Sequence, residues 1–406
     1  MKTTQRTGFG LILRREWRWF WRRKVLWALA TYIPLGMFAF LAVSFWHGVA
    51  TSLPIAVLDN DNTQLSRTIS TRIDASPTVE IVTKVYDLNE AKRNIRGGTV
   101  YGVIVIPEHF SRDIMMGRQP EMTLFYNTQM LSAGNQVAKA FQEVLPALAL
   151  EAQGLARLSK GMTTKQAAAA VNPIPIQSHA LFNPAFDYSH FILAGIIVAV
   201  LELTIALAAA LTIILDMAID PKLRVVRRMG NGVFQVILAK QLIIFVFSCL
   251  VYGICDAIMF SVYDLPLEGS GGLLLASTLL FIIAAQLFGV FWAVLLKSDS
   301  ALAPTGMILA PAFGYLGVSF PREAMSGFSL GFSYVIPGKA HIPVRFDQTL
   351  RGAPVEFSMP AFREQLIYIA IITLIIAILL ALHLRRSKDS EEEAETTAPA
   401  GQPGEA

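Results

Sequence analysis

The stretch from Arg14 to Lys24, RREWRWFWRRK, sets six basic residues around four aromatic ones. Such a run can grip nucleic acid by phosphate contacts and base stacking, serve as the charged region of a signal peptide, or float in a membrane headgroup layer. The acidic turn DNDN at Asp59–Asn62 invites a metal reading. A calcium loop would need further carboxylates at set positions, ending in a bidentate Glu, and they are missing; turn formation and helix capping explain the turn better. Glu202, Asp256 and Gln286 stand inside long apolar runs, where polar groups are costly and must face protein or a water-filled path. Glu202 and Asp256 could line a substrate route or relay a proton; equally, they could hydrogen-bond neighbouring helices. There is no phosphate loop, no H-E-x-x-H, no Cys/His set at zinc spacing and no serine elbow. The expectation is a chain without a catalytic, cofactor or metal site, and without a nucleotide-binding site of its own.

The elements that must position these residues are membrane helices. The chain has 406 residues, 54% hydrophobic and 16% charged, with a mean hydropathy of +0.50. Soluble domains carry closer to a quarter charged residues. The pI of about 9.0 reflects an excess of only +4, clustered beside apolar runs, so lipid headgroups and not nucleic acid are the expected partner. Cys249 and Cys255 are about 9 Å apart along a helix, too far for an intrachain disulfide, and read as packed thiols.

Six runs are long enough to span a bilayer: Val25–His47, His190–Leu215, Phe234–Tyr263, Leu273–Leu296, Ala301–Phe320 and Leu366–Leu384. Basic flanks that share one side under six crossings are Arg14 to Lys24, then Lys222, Arg224, Arg227 and Arg228, then Lys297, then LRRSK after the sixth run, whereas the opposite connection YDLPLEGSGG has two acids and no base. By the positive-inside rule both termini are cytoplasmic. The first run is longer than a signal-peptide core and lacks a small-residue cleavage site, so it reads as an uncleaved anchor. Pro304 and Pro311 predict a kink or break in the fifth run.

Residues 48–187, between the first two spans, are too polar for lipid and fall outside the cytoplasm. LPIAVLDND, TVEIVTKV, VYGVIVIP and MTLFYN read as strands; NTQLSRTISTRIDAS, DLNEAKRNIRGG and HFSRDIMMG read as helices between them. The alternation predicts a small, mostly parallel sheet covered by helices. From about Thr128 to Gly161 a long helical arm is expected, and MTTKQAAAAV adds a short helix. The Pro321–Arg363 connection is expected to hold a re-entrant or interfacial element, and residues 385–406 a disordered cytoplasmic tail. The division is thus 1–24 amphipathic helix, 25–47 first span, 48–187 extracytoplasmic α/β domain, 188–384 five further helices, and 385–406 tail.

This layout resembles the ABC-2 type family of ABC transporter permeases. LPIAVLDNDNTQLSRTI resembles that family's strand, acidic turn and Ser-containing helix, in Asp59, Asp61 and Ser66. YGVIVIPEHF resembles its G-x-x-x-I-P-x-x-F step, in Gly102, Pro107 and Phe110; FNPAF resembles its N-P turn, in Asn183 and Pro184. AKQL around Lys240 is similar to its G-K before the third span, with Ala239 for the glycine. One departure is DMAIDPKLRVVRRMGNG, where the family carries an R-E-x-E-x-G-T helix; Gly230 alone matches a glycine. The resemblance implies a half-size export permease of the inner membrane, paired with itself or a related permease, drawing ATP through separate ATPase subunits. Its cargo would be a drug-like or hydrophobic compound, a lipid or a polysaccharide, and its outer domain would guide substrate or dock a periplasmic membrane-fusion protein. An extracytoplasmic sensor, or an ion-coupled transporter using Glu202 and Asp256, are the competing readings.

RREWRWFWRRK then takes its place. On a helix Leu13, Trp17, Phe20 and Trp21 form an apolar stripe that Phe9 extends, with Arg15, Arg18 and Arg22 opposite. That suits a helix in the headgroup layer running into the first span, and the resemblance makes it the helix that seats the ATPase. Arg15, Trp17, Arg18 and Arg22, with Arg224, Arg227, Arg228 and Gly230, are the candidate coupling residues. Glu202, Asp256 and Gln286 are the candidate path residues.

Overall fold

A computed structural model describes residues 8–46, 48–116, 118, 120–127, 133–144, 183, 187–219 and 232–396. The chain divides into two compact units, one formed by Met1–Gly48 with Asp187–Ala406 and the other by the inserted Val49–Phe186. Pro184, most of the expected arm, the short helix over MTTKQAAAAV, and the segment with Arg224, Arg227, Arg228 and Gly230 lie outside the described residues.

The first unit starts with helix α1 (Phe9–Arg22), which stops where Arg23 turns extended; the chain then enters α2 (Lys24–Ser44). A π-helical turn at Ala28–Tyr32 sits just ahead of Pro34, whose ring and missing N–H disturb the regular ladder there.

The inserted unit alternates β1 (Leu53–Asp59), α3 (Gln64–Asp74), β2 (Val79–Lys84), α4 (Leu88–Arg96), β3 (Gly102–Ile106), α5 (Phe110–Met115) and β4 (Thr123–Tyr126). The sheet order is β2-β1-β3-β4, with β1 parallel to both neighbours and β4 antiparallel to β3. Strands buried on both faces explain the unbroken apolar runs. Ile55, Val57, Ile104 and Ile106 pack with Ile69, Ile73 and Phe110, whereas Ala56, Leu58 and Val103 pack with Val85 and Ala91. Residues 133–144 of the expected arm are helical and bring Val137 and Ala140 onto the first of these clusters.

The first unit resumes with α6 (Ser189–Met217), α7 (Val233–Ser261), α8 (Gly271–Leu296), α9 (Leu302–Leu309), α10 (Gly327–Ser333), α11 (His341–Phe346) and α12 (Val355–Thr396). Among the described residues, five helices are long and apolar enough to cross a membrane: α2, α6, α7, α8 and the Val355–His383 part of α12. Small residues let α6 and α8 meet closely: a Cβ on Gly289 would run into the Ala206 carbonyl.

The expected fifth span, Ala301–Phe320, is not one helix. α9 ends at Leu309, and a 3-10 turn at Ala312–Gly314 follows Pro311. Hydropathy counts apolar side chains, but Pro311 donates no hydrogen bond and Gly314 and Gly317 add little helical propensity. The chain nevertheless travels the length of α8 here. Lys297, just past the end of α8, meets His383 at 2.8 Å, while Gln348 accepts from the Gly269 amide at 2.9 Å just before α8 begins. The YVIPGKAHIPVR segment lies inside this unit: His341, Val344 and Arg345 are fully buried. The tail also departs from expectation, since the α12 backbone stays helical through Thr396, in keeping with the strong helix formers of its EEEAE run.

Candidate functional site

Glu16 is the lone acid of the basic-aromatic run, and it marks the face of α1 that packs on protein. Ile12, Glu16 and Phe20 are buried, one turn apart, while Trp17 and Trp21 are about half exposed. The buried stripe is thus rotated from the expected Leu13–Trp17–Phe20–Trp21 face. The cause is a cluster of four charges. Lys240, at the start of α7, reaches Glu16 at 3.0 Å and Asp216, near the end of α6, at 2.5 Å. Arg15 grips Asp216 with two hydrogen bonds, 3.0 and 2.7 Å, and also contacts Glu16. The Lys240 ammonium further donates to the Thr212 carbonyl, and Arg15 and Arg23 both lie over the Trp19 ring.

Lys240 and Asp216 are almost wholly shielded from solvent, so neither could carry its charge there unpaired. Two cations facing two carboxylates leave the cluster neutral. Burial works against the Arg15 charge, yet the hydrogen bond and charge of Asp216, with Glu16 behind it, raise its pKa above the ordinary guanidinium value. Aromatic packing completes the joint: Phe20 and Trp17 both stack on Phe247 of α7. Arg15, one of the expected coupling residues, turns inward onto Asp216 and Glu16. Arg18 and Arg22 are exposed, and Trp17 shares that surface. Asp216 and Glu16 escaped the sequence reading; an acid ending an apolar span, and a single acid amid arginines, were the available signals.

The three intramembrane candidates do not converge. Gln286 donates to the Gln241 carbonyl at 3.0 Å, and Gln241 in turn reaches Thr212 and Ala209, so both lie in helix packing. Glu202 is fully buried; one carboxylate oxygen accepts the Gly338 amide at 2.7 Å and the other has no partner. Glu202 lines neither a cavity of about 470 Å³ along α12 nor one of about 270 Å³ beside α7. Asp256 alone borders one, a half-open cavity of about 270 Å³ shared with Tyr252 and Thr278. It pairs with the fully buried Arg345 at 2.7 Å, and Arg345 also donates to the Tyr252 hydroxyl. From there Tyr252 meets His341 Nε2 at 2.8 Å, His341 Nδ1 meets Ser277 at 2.8 Å, and Ser277 donates to Gln365. This chain ties α7, α8, α11 and α12 together.

In the inserted unit the acidic turn is committed to hydrogen bonds. Asp59 accepts the Asp61 and Asn62 amides and the Ser66 hydroxyl. Asp61 accepts the Thr63 hydroxyl and both the amide and hydroxyl of Ser111, stapling the turn to α5. Burial opposes ionisation of Asp61, but those bonds outweigh it and hold its carboxyl below the usual range. Thr63 and Ser66 cap α3 reciprocally. Gly102 opens β3 where a Cβ would press on Val137 and the Phe125 carbonyl, and Pro107 follows the strand's last residue. Asn183 is half-buried.

Five long apolar helices, an interrupted segment along α8 and an inserted α/β unit define a polytopic membrane protein. The model of the ABC-2 family transporter proteins matches residues 24–384, and the chain belongs to that family. It is accordingly a membrane transport subunit of the kind that works with ATP-binding-cassette ATPase subunits. No curated protein and no solved structure was found to match.

Proposed function

We propose that the chain is the permease subunit of an ATP-driven exporter, moving a hydrophobic or drug-like compound, a lipid or a polysaccharide out across the bacterial inner membrane. A separate ATPase pair powers a dimer of such subunits, and the chain itself binds no nucleotide. Six crossings, five continuous and one through the interrupted residues 298–347, put both termini in the cytoplasm. The inserted domain then lies in the periplasm, where it guides substrate or docks a membrane-fusion protein. The observation that carries this reading, beyond family membership, is the charged joint of Arg15, Glu16, Asp216 and Lys240. It fastens α1 to the facing ends of two spans, so an ATPase seated on α1 through Arg18, Arg22 and Trp17 would move both.

The test is reconstitution in vesicles with the ATP-binding-cassette ATPase that co-purifies with it. ATP-dependent export is expected, with Arg18→Glu/Arg22→Glu lowering transport-coupled ATPase activity while insertion is kept. Arg15→Glu is not a clean probe, since it would break the joint from within. Export that runs on a proton gradient without ATP would favour the ion-coupled alternative and defeat the proposal.

A further inference from the structure

A cavity of the first unit, about 470 Å³, runs along one face of α12. That volume is within the range of small-molecule sites, which run from about 300 to 1,000 Å³. Its α12 wall follows helical spacing from Pro360 through Glu364, Ile367, Ile371 and Ile375, a stripe about 22 Å long at 1.5 Å per residue. Its two ends differ chemically. At one, Lys339 pairs with Glu364 and sits 3.2 Å from the Tyr334 ring centroid. Arg363 lines the same end, exposed and, among the described residues, with no hydrogen-bond or ion-pair partner, leaving a net positive charge. At the other, Phe288 and Phe291 of α8 face Ile372 and Ile375.

The position along α12 gives this polarity a meaning. Arg363 lies just before the apolar run Leu366–Leu384, at the level where a spanning helix meets headgroups. Ile367 and Ile371, lower down, are more than half exposed, so the groove opens sideways into hydrocarbon. A concave apolar groove facing lipid, with an unpaired guanidinium at the interface, suits an acyl chain below an anionic head. Arginine binds phosphate oxygens in a bidentate, charge-assisted manner.

We infer that this groove is a site for an anionic phospholipid of the surrounding bilayer, with its phosphate at Arg363 and one acyl chain along Ile367, Ile371 and Ile375. The site lies apart from the α1 joint and does not depend on what the permease exports.

The full-length chain in detergent is titrated with phosphatidylglycerol or phosphatidylcholine and bound lipid is counted by native mass spectrometry. Phosphatidylglycerol is expected to bind selectively. Arg363→Gln, which removes no hydrogen bond or ion pair among the described residues, should weaken it about tenfold, the scale of one charge-assisted hydrogen bond. Ile371→Trp, filling the groove, should weaken it at least as much, while Leu374→Trp on the same helix but outside the groove should not. Equal binding of both lipids, or unchanged affinity in either Arg363→Gln or Ile371→Trp, overturns the inference. So does efficient disulfide-linked dimerisation of Ile371→Cys in a Cys249→Ser/Cys255→Ser background, since a second copy would then fill the groove.

Discussion

Replacing Lys240 by Met tests whether the charged joint is an obligatory unit. Its ammonium faces Asp216 at 2.5 Å and Glu16 at 3.0 Å. At an effective dielectric near 20 each attraction is about 5–7 kcal/mol, opposed by several kcal/mol for desolvating the ammonium. Met keeps most of the side-chain volume, so packing changes little. What remains is two carboxylates facing Arg15 alone, a net negative charge in a shielded place. Removing one partner of a buried pair costs about 3–5 kcal/mol. The loss has a ceiling, because an ordinary glutamate can take up a proton at neutral pH for about 4 kcal/mol. Lys240→Met should therefore destabilise by about 3–4 kcal/mol in chemical unfolding of the nanodisc-embedded protein. Adding Glu16→Gln restores neutrality and leaves the two Arg15–Asp216 bonds, so the double variant should recover to within about 1 kcal/mol of wild type. A Lys240→Met loss under about 1 kcal/mol, or a double variant worse than the single, would refute the reasoning.

The other predictions are separate from the joint. Gly289→Val should lower thermal stability by several kcal/mol, because its Cβ meets the Ala206 carbonyl, whereas Gly306→Ala, with open space around it, should be neutral or slightly stabilising. Glu202→Gln keeps an acceptor for the Gly338 amide and should leave stability and transport intact; Glu202→Leu orphans that amide and should cost about 1–3 kcal/mol, read by thermal unfolding. Asp61 has a lowered folded-state pKa, so its contribution is present above the ordinary aspartate value and lost as pH falls through the lower, folded one. Hydrogen exchange across β1 and α3 in the full-length protein should show that acid-side loosening, and Asp61→Asn should abolish its pH dependence. Arg345→Met should destabilise by about 3–5 kcal/mol by leaving Asp256 unpaired, with Asp256→Leu in the same chain recovering most of it.

The inserted domain was readable because each of its rules is local. Thr63 and Asp87 cap helices that begin beside them, and Pro107 stops β3 from the next position. The joint was half readable for the opposite reason. Amphipathicity put α1 at an interface, but the choice of buried face was made by Lys240 and Asp216, more than 200 positions away, as the separations of 224 and 201 residues show. A lone acid among arginines looks like a defect in a basic stripe until its distant partner is known. The residues around His341 were readable as a re-entrant or interfacial element, but not their partners. VIPGKAHIPVR has the composition of a loop, and only Tyr252, Ser277 and Asp256 on other helices make His341 and Arg345 tolerable inside. Ala301–Phe320 failed in reverse, since its apolar composition promised a span that Pro311 does not permit as one helix.

A joint transmits movement only if it is harder to break than the parts it drives are to shift. The four-charge cluster meets that condition, since dividing it would strand charges at about 3–5 kcal/mol each. The connection continues inward without a soft link. Gln241, one residue past Lys240, bonds back to α6 through Thr212 and Ala209, and its own carbonyl is held by Gln286 of α8. Gly289 brings α8 against α6 at van der Waals limits. A displacement of α1 on the proposed ATPase stroke would thus carry α6, α7 and α8 as one body. One described segment without a continuous backbone ladder, residues 310–326 between α9 and α10, packs along α6 and is the candidate to yield. If that is the hinge, a disulfide joining Ala312→Cys to a cysteine introduced on the α6 surface it packs against should arrest export while leaving ATPase binding unchanged. Export that persists with the crosslink formed would place the hinge elsewhere.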